Sequence, residues 1–99
     1  MDHELAEHAA EVLKAMAHPL RLQIVELLQQ GERSVGEIVE AVGEKQAITS
    51  QQLTLMKGKG VLASRRDGAK VYYRLHNFNV IRLLDCIYNH CDAKKRSRR

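Results

Sequence analysis

Proline, aromatic residues and cysteine are scarce in this sequence, and tryptophan is absent. Its 99 residues include one proline, two cysteines, three tyrosines and one phenylalanine. Two cysteines are too few for a disulfide framework, so we expect a protein that folds in a reducing compartment. No apolar run is long enough to cross a bilayer, and no segment resembles a signal peptide. The sequence therefore predicts a cytoplasmic protein without a membrane partner.

Motifs that carry catalysis are also missing. The chain has no glycine-rich loop that would cradle a phosphate, no H-E-x-x-H motif and no nucleophile elbow. Its length suits a single domain, which buries a smaller fraction of its surface than a larger protein does. We therefore expect a binding protein rather than an enzyme, and one that gains stability from a partner copy.

Charge is divided unevenly along the chain, although the net value is only +4. Residues 1–44 contain nine acidic and three basic side chains, whereas residues 45–75 contain seven basic side chains and one acid, Asp67. Residues 94–99 add five basic side chains. A basic segment flanked by acidic sequence is typical of a surface that binds a polyanion, because phosphate contacts release counterions and the acids restrain indiscriminate binding.

Apolar residues with helical spacing predict three helices in the first half of the chain. The first contains one apolar stripe, and the second is expected to begin at Pro19, since proline is tolerated in a first helical turn. Gly31 is a stop signal for the second helix. Ser34 and Glu37 have the spacing of a capping box, which predicts the start of a third helix. The stripe of the first helix comprises Leu5, Ala9, Val12, Leu13 and Met16.

Gly43 separates the third helix from a fourth, which is expected from about Gln46 to Lys57. Two strand-like segments follow, and Asp67-Gly68 between them is a strong hairpin signal. A fifth helix is expected over residues 78–90. The predicted fold is mainly α with a small β-hairpin, a winged helix-turn-helix of order α-α-α-α-β-β-α. With Asp67 and Gly68 at the turn centre, the predicted cross-strand pairs are Leu62 with Tyr73 and Ser64 with Val71.

Polar side chains of the fourth helix have the chemistry that reads base edges in a major groove. Glutamine contacts adenine through two hydrogen bonds, serine and threonine are permissive, and lysine binds phosphate. Hairpin cations would lie along phosphates or reach into a minor groove. The sequence thus predicts binding to double-stranded DNA. The candidate DNA-binding residues are Gln46, Thr49, Ser50, Gln51, Thr54 and Lys57 of the helix, with Arg65, Arg66 and Lys70 of the hairpin.

Several motifs, in order along residues 5–91, resemble the ArsR/SmtB family of repressors. They are the segments Leu13–Leu22, Ser34–Ile38, Ser50–Leu53, Gly60–Leu62, Arg65–Gly68 and Val71–Tyr73. Within the family, the chain is most similar to the sulfide- or persulfide-responsive and biofilm-associated repressors. The resemblance implies a homodimer that packs through its first and last helices, binds an inverted-repeat operator and releases it when an inducer binds.

One pair of residues departs from the family pattern. Ile48-Thr49 stands where the family usually has a small polar residue followed by an aliphatic one. The departure leaves open which of the two packs inward and which faces DNA.

Two cysteines near the end of the chain are candidate sensing thiols. The resemblance implies a reactive thiol at Cys91, but the position of its usual partner in the second helix holds Glu26. On one helix, Cys86 and Cys91 would have Cα atoms about 8 Å apart, beyond the limit of about 7 Å for most disulfides. One hypothesis is therefore thiol redox or persulfide sensing at Cys86 and Cys91, with thiols that meet across a dimer interface. The other hypothesis is that both cysteines are inert packing residues.

A thiophilic metal or metalloid ion is the alternative inducer. The cysteine pair that thiolate-metal sensors of the family carry in the third helix is missing, because residues 34–36 here are Ser-Val-Gly. Histidine, thiolate and carboxylate groups near the last helix nevertheless suit zinc or a softer ion such as arsenite. The candidate ligands are His90, Cys91 and Asp92, with His3 and His8 of the first helix, which in this family packs near the last.

We expect one winged helix-turn-helix DNA-binding and dimerisation domain over residues 1–93 and a disordered basic tail over residues 94–99. Two other functions also fit the sequence. An architectural protein that coats DNA would show the same steep salt dependence on every duplex. A protein-interaction module with a vestigial helix-turn-helix would not bind DNA at physiological salt.

Overall fold

The computed structural model describes residues 1–77 and residues 79, 80, 82, 85, 86 and 89. The residues described after position 77 are helical, as expected for part of the fifth helix; its other residues and the tail 94–99 lie outside the described part of the chain. The elements within residues 1–77 are α1 (His3–Met16), α2 (Pro19–Leu28), β1 (Arg33–Ser34), α3 (Val35–Val42), α4 (Gln46–Gly58), β2 (Leu62–Asp67) and β3 (Lys70–Leu75).

Local sequence signals set the boundaries of the helices. Pro19 occupies the first turn of α2, and the Nδ1 atom of His18 accepts a hydrogen bond of 3.1 Å from the amide two residues further on. The Ser34 hydroxyl accepts from the Glu37 amide at 3.2 Å, and the Glu37 carboxylate accepts from the Ser34 amide at 2.9 Å, which confirms the capping box. Gly43 ends α3 at a φ of 71°, in the left-handed region that favours glycine.

A short strand that sequence periodicity did not predict joins the helix-turn-helix to the hairpin. β1 pairs antiparallel with β3, Arg33 opposite Tyr73 and Ser34 opposite Tyr72, so the sheet has the order β1-β3-β2. Two residues are too few to show the alternation that identifies a strand. The mainly helical fold with a small hairpin is confirmed, with β1 as an addition between α2 and α3.

The β2–β3 hairpin, called the wing below, turns one residue later than predicted. Asp67 pairs with Lys70, so Gly68 and Ala69 form the turn. Gly68 has a φ of 62°, as the first central residue of a type II′ turn requires. The shift along β3 is two residues, so every side chain keeps its predicted face of the sheet. The predicted pairs were therefore wrong: Leu62 pairs with Leu75 and Ser64 with Tyr73.

The core lies between the helix-turn-helix, α2 and the sheet, and it leaves part of α1 uncovered. Leu5 and Leu13 of α1 are 52% and 51% exposed, although Met16 on the same stripe is buried. The core thus covers only one end of the apolar stripe. No helix in the described ranges combines the length and the hydropathy needed to span a membrane. The fully buried core side chains include Ile24, Val25, Ile38, Leu53, Met56 and Val61.

Candidate nucleic-acid interface

The second helix of the helix-turn-helix, α4, has a buried face and a polar exposed face. Thr49, Leu53 and Met56 are fully buried and follow the i, i+4, i+7 spacing of one helical face. Gln51 is exposed and lies two positions from Thr49, a rotation of about 200° on a helix, so it projects away from the core. The other candidates on the outer surface are Gln46, Thr54 and Lys57, which are exposed, and Ser50, which is half-buried.

Thr49 lies inside the protein, so its prediction as a DNA-contacting residue was wrong. Its side chain is 0% exposed, and its hydroxyl has no hydrogen-bond partner among the described residues. Ile48 is the exposed member of the pair, at 39%. The physical reason is helical spacing: position 49 lies one turn before Leu53 and therefore shares its inward direction. The i, i+4, i+7 spacing of Thr49, Leu53 and Met56 was the signal that could have placed Thr49, and it outweighs the polarity of threonine.

Two of the three predicted wing cations, Arg66 and Lys70, are free to meet a polyanion. Both are exposed and flank the Gly68-Ala69 turn at the tip of the wing. Within the described ranges, the side chain of neither residue makes a hydrogen bond or an ion pair. Their charges are therefore available to phosphate groups.

Arg65 differs from these two cations because carboxylates of the same chain hold its guanidinium. Its Nε lies 3.1 and 3.0 Å from the two carboxylate oxygens of Glu32, and its Nη2 donates to Glu32 Oε1 at 2.7 Å. The guanidinium carbon lies 4.6 Å from the centre of the Tyr72 ring, and Nη1 is 3.9 Å from Asp67 Oδ2. The hydrogen bonding between them raises the pKa of Arg65 and lowers the pKa of Glu32. Contrary to expectation, Arg65 is not a free cation.

The helix-turn-helix and the wing share one concave surface. A groove of about 600 Å³ is lined by Gln46 and Ser50 of α4, by Lys70 at the tip of the wing and by the start of α3. Glu37 also lines it, and its pKa is lowered, first because its carboxylate accepts the hydrogen bond from the Ser34 backbone and to a smaller degree because of the charge on Lys70. Residues from separate elements are thus brought to one side of the molecule.

Two contacts that sequence reasoning missed hold α4 against the first two helices. The Arg21 guanidinium donates to the Gln52 side-chain oxygen at 2.7 Å and to the Lys14 carbonyl, at the end of α1, at 2.9 Å. At the C-terminal end of α4, its cap residue Lys59 pairs with Glu11 of α1 at 3.0 Å. These contacts fix the direction of α4 relative to α1. No local pattern indicates them, because their partners are far apart in the sequence.

The candidate sensing residues are only partly described. Cys86 is a free, exposed thiol, whereas Cys91, His90 and Asp92 lie outside the described residues. The imidazole of His3 pairs with Glu7 at 3.1 Å on the surface of α1. Groups of three or more metal-ligating side chains do not occur in the ranges that the structure describes.

His8, the remaining candidate ligand, lines a shallow groove with His76 and Asn79. Gly60 and Asn77 also line this groove, so it lies between α1 and the residues that follow α4 and the wing.

The fold and the site together define a winged helix-turn-helix of the DNA-binding type. Two helices are joined at Gly43, the second has a polar outer face, and a cationic hairpin follows.

The family described as "bacterial regulatory protein, arsR family" matches residues 18–64. A biofilm growth-associated repressor of Xylella fastidiosa, strain Temecula1, is 34% identical over 93 residues, which are 93% of this chain and 82% of that protein.

Solved structures give the same result. The transcriptional repressor BigR from Xylella fastidiosa superposes with a TM-score of 0.81 at 34% identity, covering 90% of this chain and 95% of that one. The homodimeric winged helix-turn-helix DNA-binding domain of Mb0332 from Mycobacterium bovis gives 0.81 at 38% identity, covering 90% and 82%.

The chain therefore belongs to the ArsR family of bacterial regulatory proteins. It is a transcriptional regulator and not an enzyme, and the expected resemblance to biofilm-associated members of the family is confirmed.

Proposed function

We propose that this protein is a homodimeric transcriptional repressor that binds an inverted-repeat DNA operator and releases it in response to an inducer. The observation that carries the proposal is the outer face of α4, on which Gln46, Gln51 and Thr54 are exposed, together with the exposed cations Arg66 and Lys70 at the tip of the wing. Amide and hydroxyl groups suit base edges, and the cations suit the flanking phosphates.

The apolar surface of α1 supports a dimer. Leu5 and Leu13 are half-exposed and line, with Val12 and Val80, a groove of about 250 Å³ between α1 and the helical residues after the wing. A second copy packed here would cover these side chains, as expected for a small domain. Two-fold symmetry would direct the two α4 helices toward successive major grooves, which explains the expectation of an inverted repeat.

Selection of duplexes from a random pool, followed by affinity measurements over a range of salt concentrations, tests the DNA-binding function. We expect an enriched inverted repeat with half-sites about 10 base pairs apart and a preference for it over a scrambled duplex of about 10³-fold or more. Equal affinity for both duplexes would instead indicate an architectural protein. Absence of binding to either would favour an interaction module.

We propose further that the inducer acts on thiols of the last helix, where Cys86 is exposed and the family resemblance implies a reactive Cys91. Polysulfide or peroxide should then change the mass of the wild-type protein at a cysteine and release it from the selected duplex. The Cys86→Ser/Cys91→Ser double variant should bind the same duplex and no longer respond. Full release of that variant by the same agent would refute thiol sensing, and release of it by zinc alone would favour a metal site built from histidine and carboxylate groups.

A further inference from the structure

We propose that Arg65 positions the wing rather than binding DNA, through the paired side chains of Glu32 and Arg65, called the clasp below. The inference rests on the proposed DNA-binding function. It assigns different roles to neighbouring arginines of one strand. Arg66 contacts phosphate, and Arg65 fixes the position of the wing that carries Arg66.

The clasp crosses the whole sheet. Glu32 is the residue before β1, and Arg65 lies on β2, at the opposite edge of the order β1-β3-β2. The central residue between them is Tyr72, which pairs with Ser34 on one side and with Arg65 on the other. The arginine side chain passes over the Tyr72 ring to reach Glu32. Because Ser34 caps α3, the clasp ties the wing to the start of the helix-turn-helix.

Groups around Arg65 oppose a phosphate contact. Nε and Nη2 are both occupied by Glu32, and Nη1 faces Asp67, so two carboxylates surround one guanidinium. A phosphate that displaced Glu32 would leave an unpaired carboxylate beside the DNA backbone, where like charges repel. Arg66 projects from the other face of the wing and meets no such carboxylate within the described ranges.

Affinity measurements over a range of salt concentrations separate the two roles. They use the whole 99-residue chain and a random-sequence duplex of about 30 base pairs. We expect Glu32→Gln and Arg65→Gln each to weaken binding by about two- to fivefold, as a partly exposed ion pair allows, with the salt slope unchanged. The double variant should bind no more weakly than the weaker single variant. Arg66→Gln is the matched control and should reduce the slope by about 0.9 per protomer.

Glu32→Gln gives the sharpest contrast, because removal of an acid from a protein that binds a polyanion would otherwise strengthen binding. Unchanged or tighter binding by Glu32→Gln, or a slope reduced by about 0.9 in Arg65→Gln, would overturn the proposal.

Hydrogen exchange of the DNA-free protein provides an independent readout. Amides of β2 and β3 should exchange faster in Glu32→Gln and Arg65→Gln and not in Arg66→Gln. Unchanged exchange in the first two variants would also overturn the clasp. If the wild-type protein binds no duplex, the proposed function fails by itself, and exchange still decides whether the clasp holds the wing.

Discussion

Replacement of Thr49 by valine should stabilise the protein, an unusual outcome for a fully buried position. The Thr49 side chain is 0% exposed, and its hydroxyl has no partner among the described residues. A buried hydroxyl without a hydrogen bond costs about 1–3 kcal/mol. Valine has nearly the same shape and a similar helix propensity, so the substitution removes that cost without opening a cavity. We expect the free energy of unfolding to rise by about 1 kcal/mol or more, which corresponds to a Tm increase of about 4–8 °C per kcal/mol for a domain of this size.

Thr49→Ser is the matched control, because it keeps the hydroxyl and removes the buried methyl group. That change should lower the free energy of unfolding by about 1 kcal/mol, so the two variants should shift stability in opposite directions. Urea denaturation at one fixed protein concentration measures both, since the stability of a dimer depends on concentration. Affinity of Thr49→Val for the selected duplex should equal that of the wild type. If valine destabilised the protein as serine does, or abolished DNA binding in a stable protein, the placement of Thr49 on the inner face of α4 would be refuted.

Further predictions concern the contacts around α4 and α3. Arg21→Ala removes the hydrogen bond to Gln52, so it should lower the free energy of unfolding by about 1–3 kcal/mol and reduce the preference for the selected duplex. Unchanged denaturation together with an unchanged preference would contradict this role. Ser34→Ala should cost about 1 kcal/mol through loss of the α3 cap, measured in the same way, and a loss near zero would show that the cap is dispensable. The pKa values of Glu32 and Glu37 are lowered in the folded state, by the hydrogen bonds from Arg65 and from the Ser34 backbone respectively. Their contributions to stability are therefore present above the ordinary glutamate pKa of 4.5 and are lost as the pH falls below it. The free energy of unfolding, measured from neutral to acid pH, should therefore fall, and it should fall less steeply in Glu37→Gln than in the wild type. An equally steep fall in Glu37→Gln would contradict the contribution of the Glu37 carboxylate.

The helices could be predicted because their signals are local. Pro19, the Ser34–Glu37 box and Gly43 each act within a few residues of their own position, and the structure places helix boundaries at all three. The two-residue strand β1 carries no such signal, since it exists only through pairing with β3. The turn of the wing was misplaced by one residue because either pair of central residues includes a glycine, and only cross-strand packing selects between them.

The candidate site was predictable as a surface but not residue by residue. Composition and order located α4 and the wing, whereas burial of Thr49 and capture of Arg65 depend on neighbours from other elements. The bond from Arg65 to Glu32 joins residues 33 positions apart, and that from Arg21 to Gln52 joins residues 31 apart. Sequence periodicity does not indicate such distant partners. Arg65 was therefore predicted as a phosphate contact from its charge alone.

The most direct test of whether α4 reads bases while the wing binds the DNA backbone is the ratio of affinities for a selected and a scrambled duplex. This ratio is compared between Gln51→Ala and Arg66→Ala. Gln51→Ala should reduce the ratio by an amount equivalent to about 1–3 kcal/mol and leave affinity for the scrambled duplex nearly unchanged. Arg66→Ala should weaken binding to both duplexes alike and preserve the ratio. An unchanged ratio in Gln51→Ala, or a ratio that falls equally in both variants, would contradict the account.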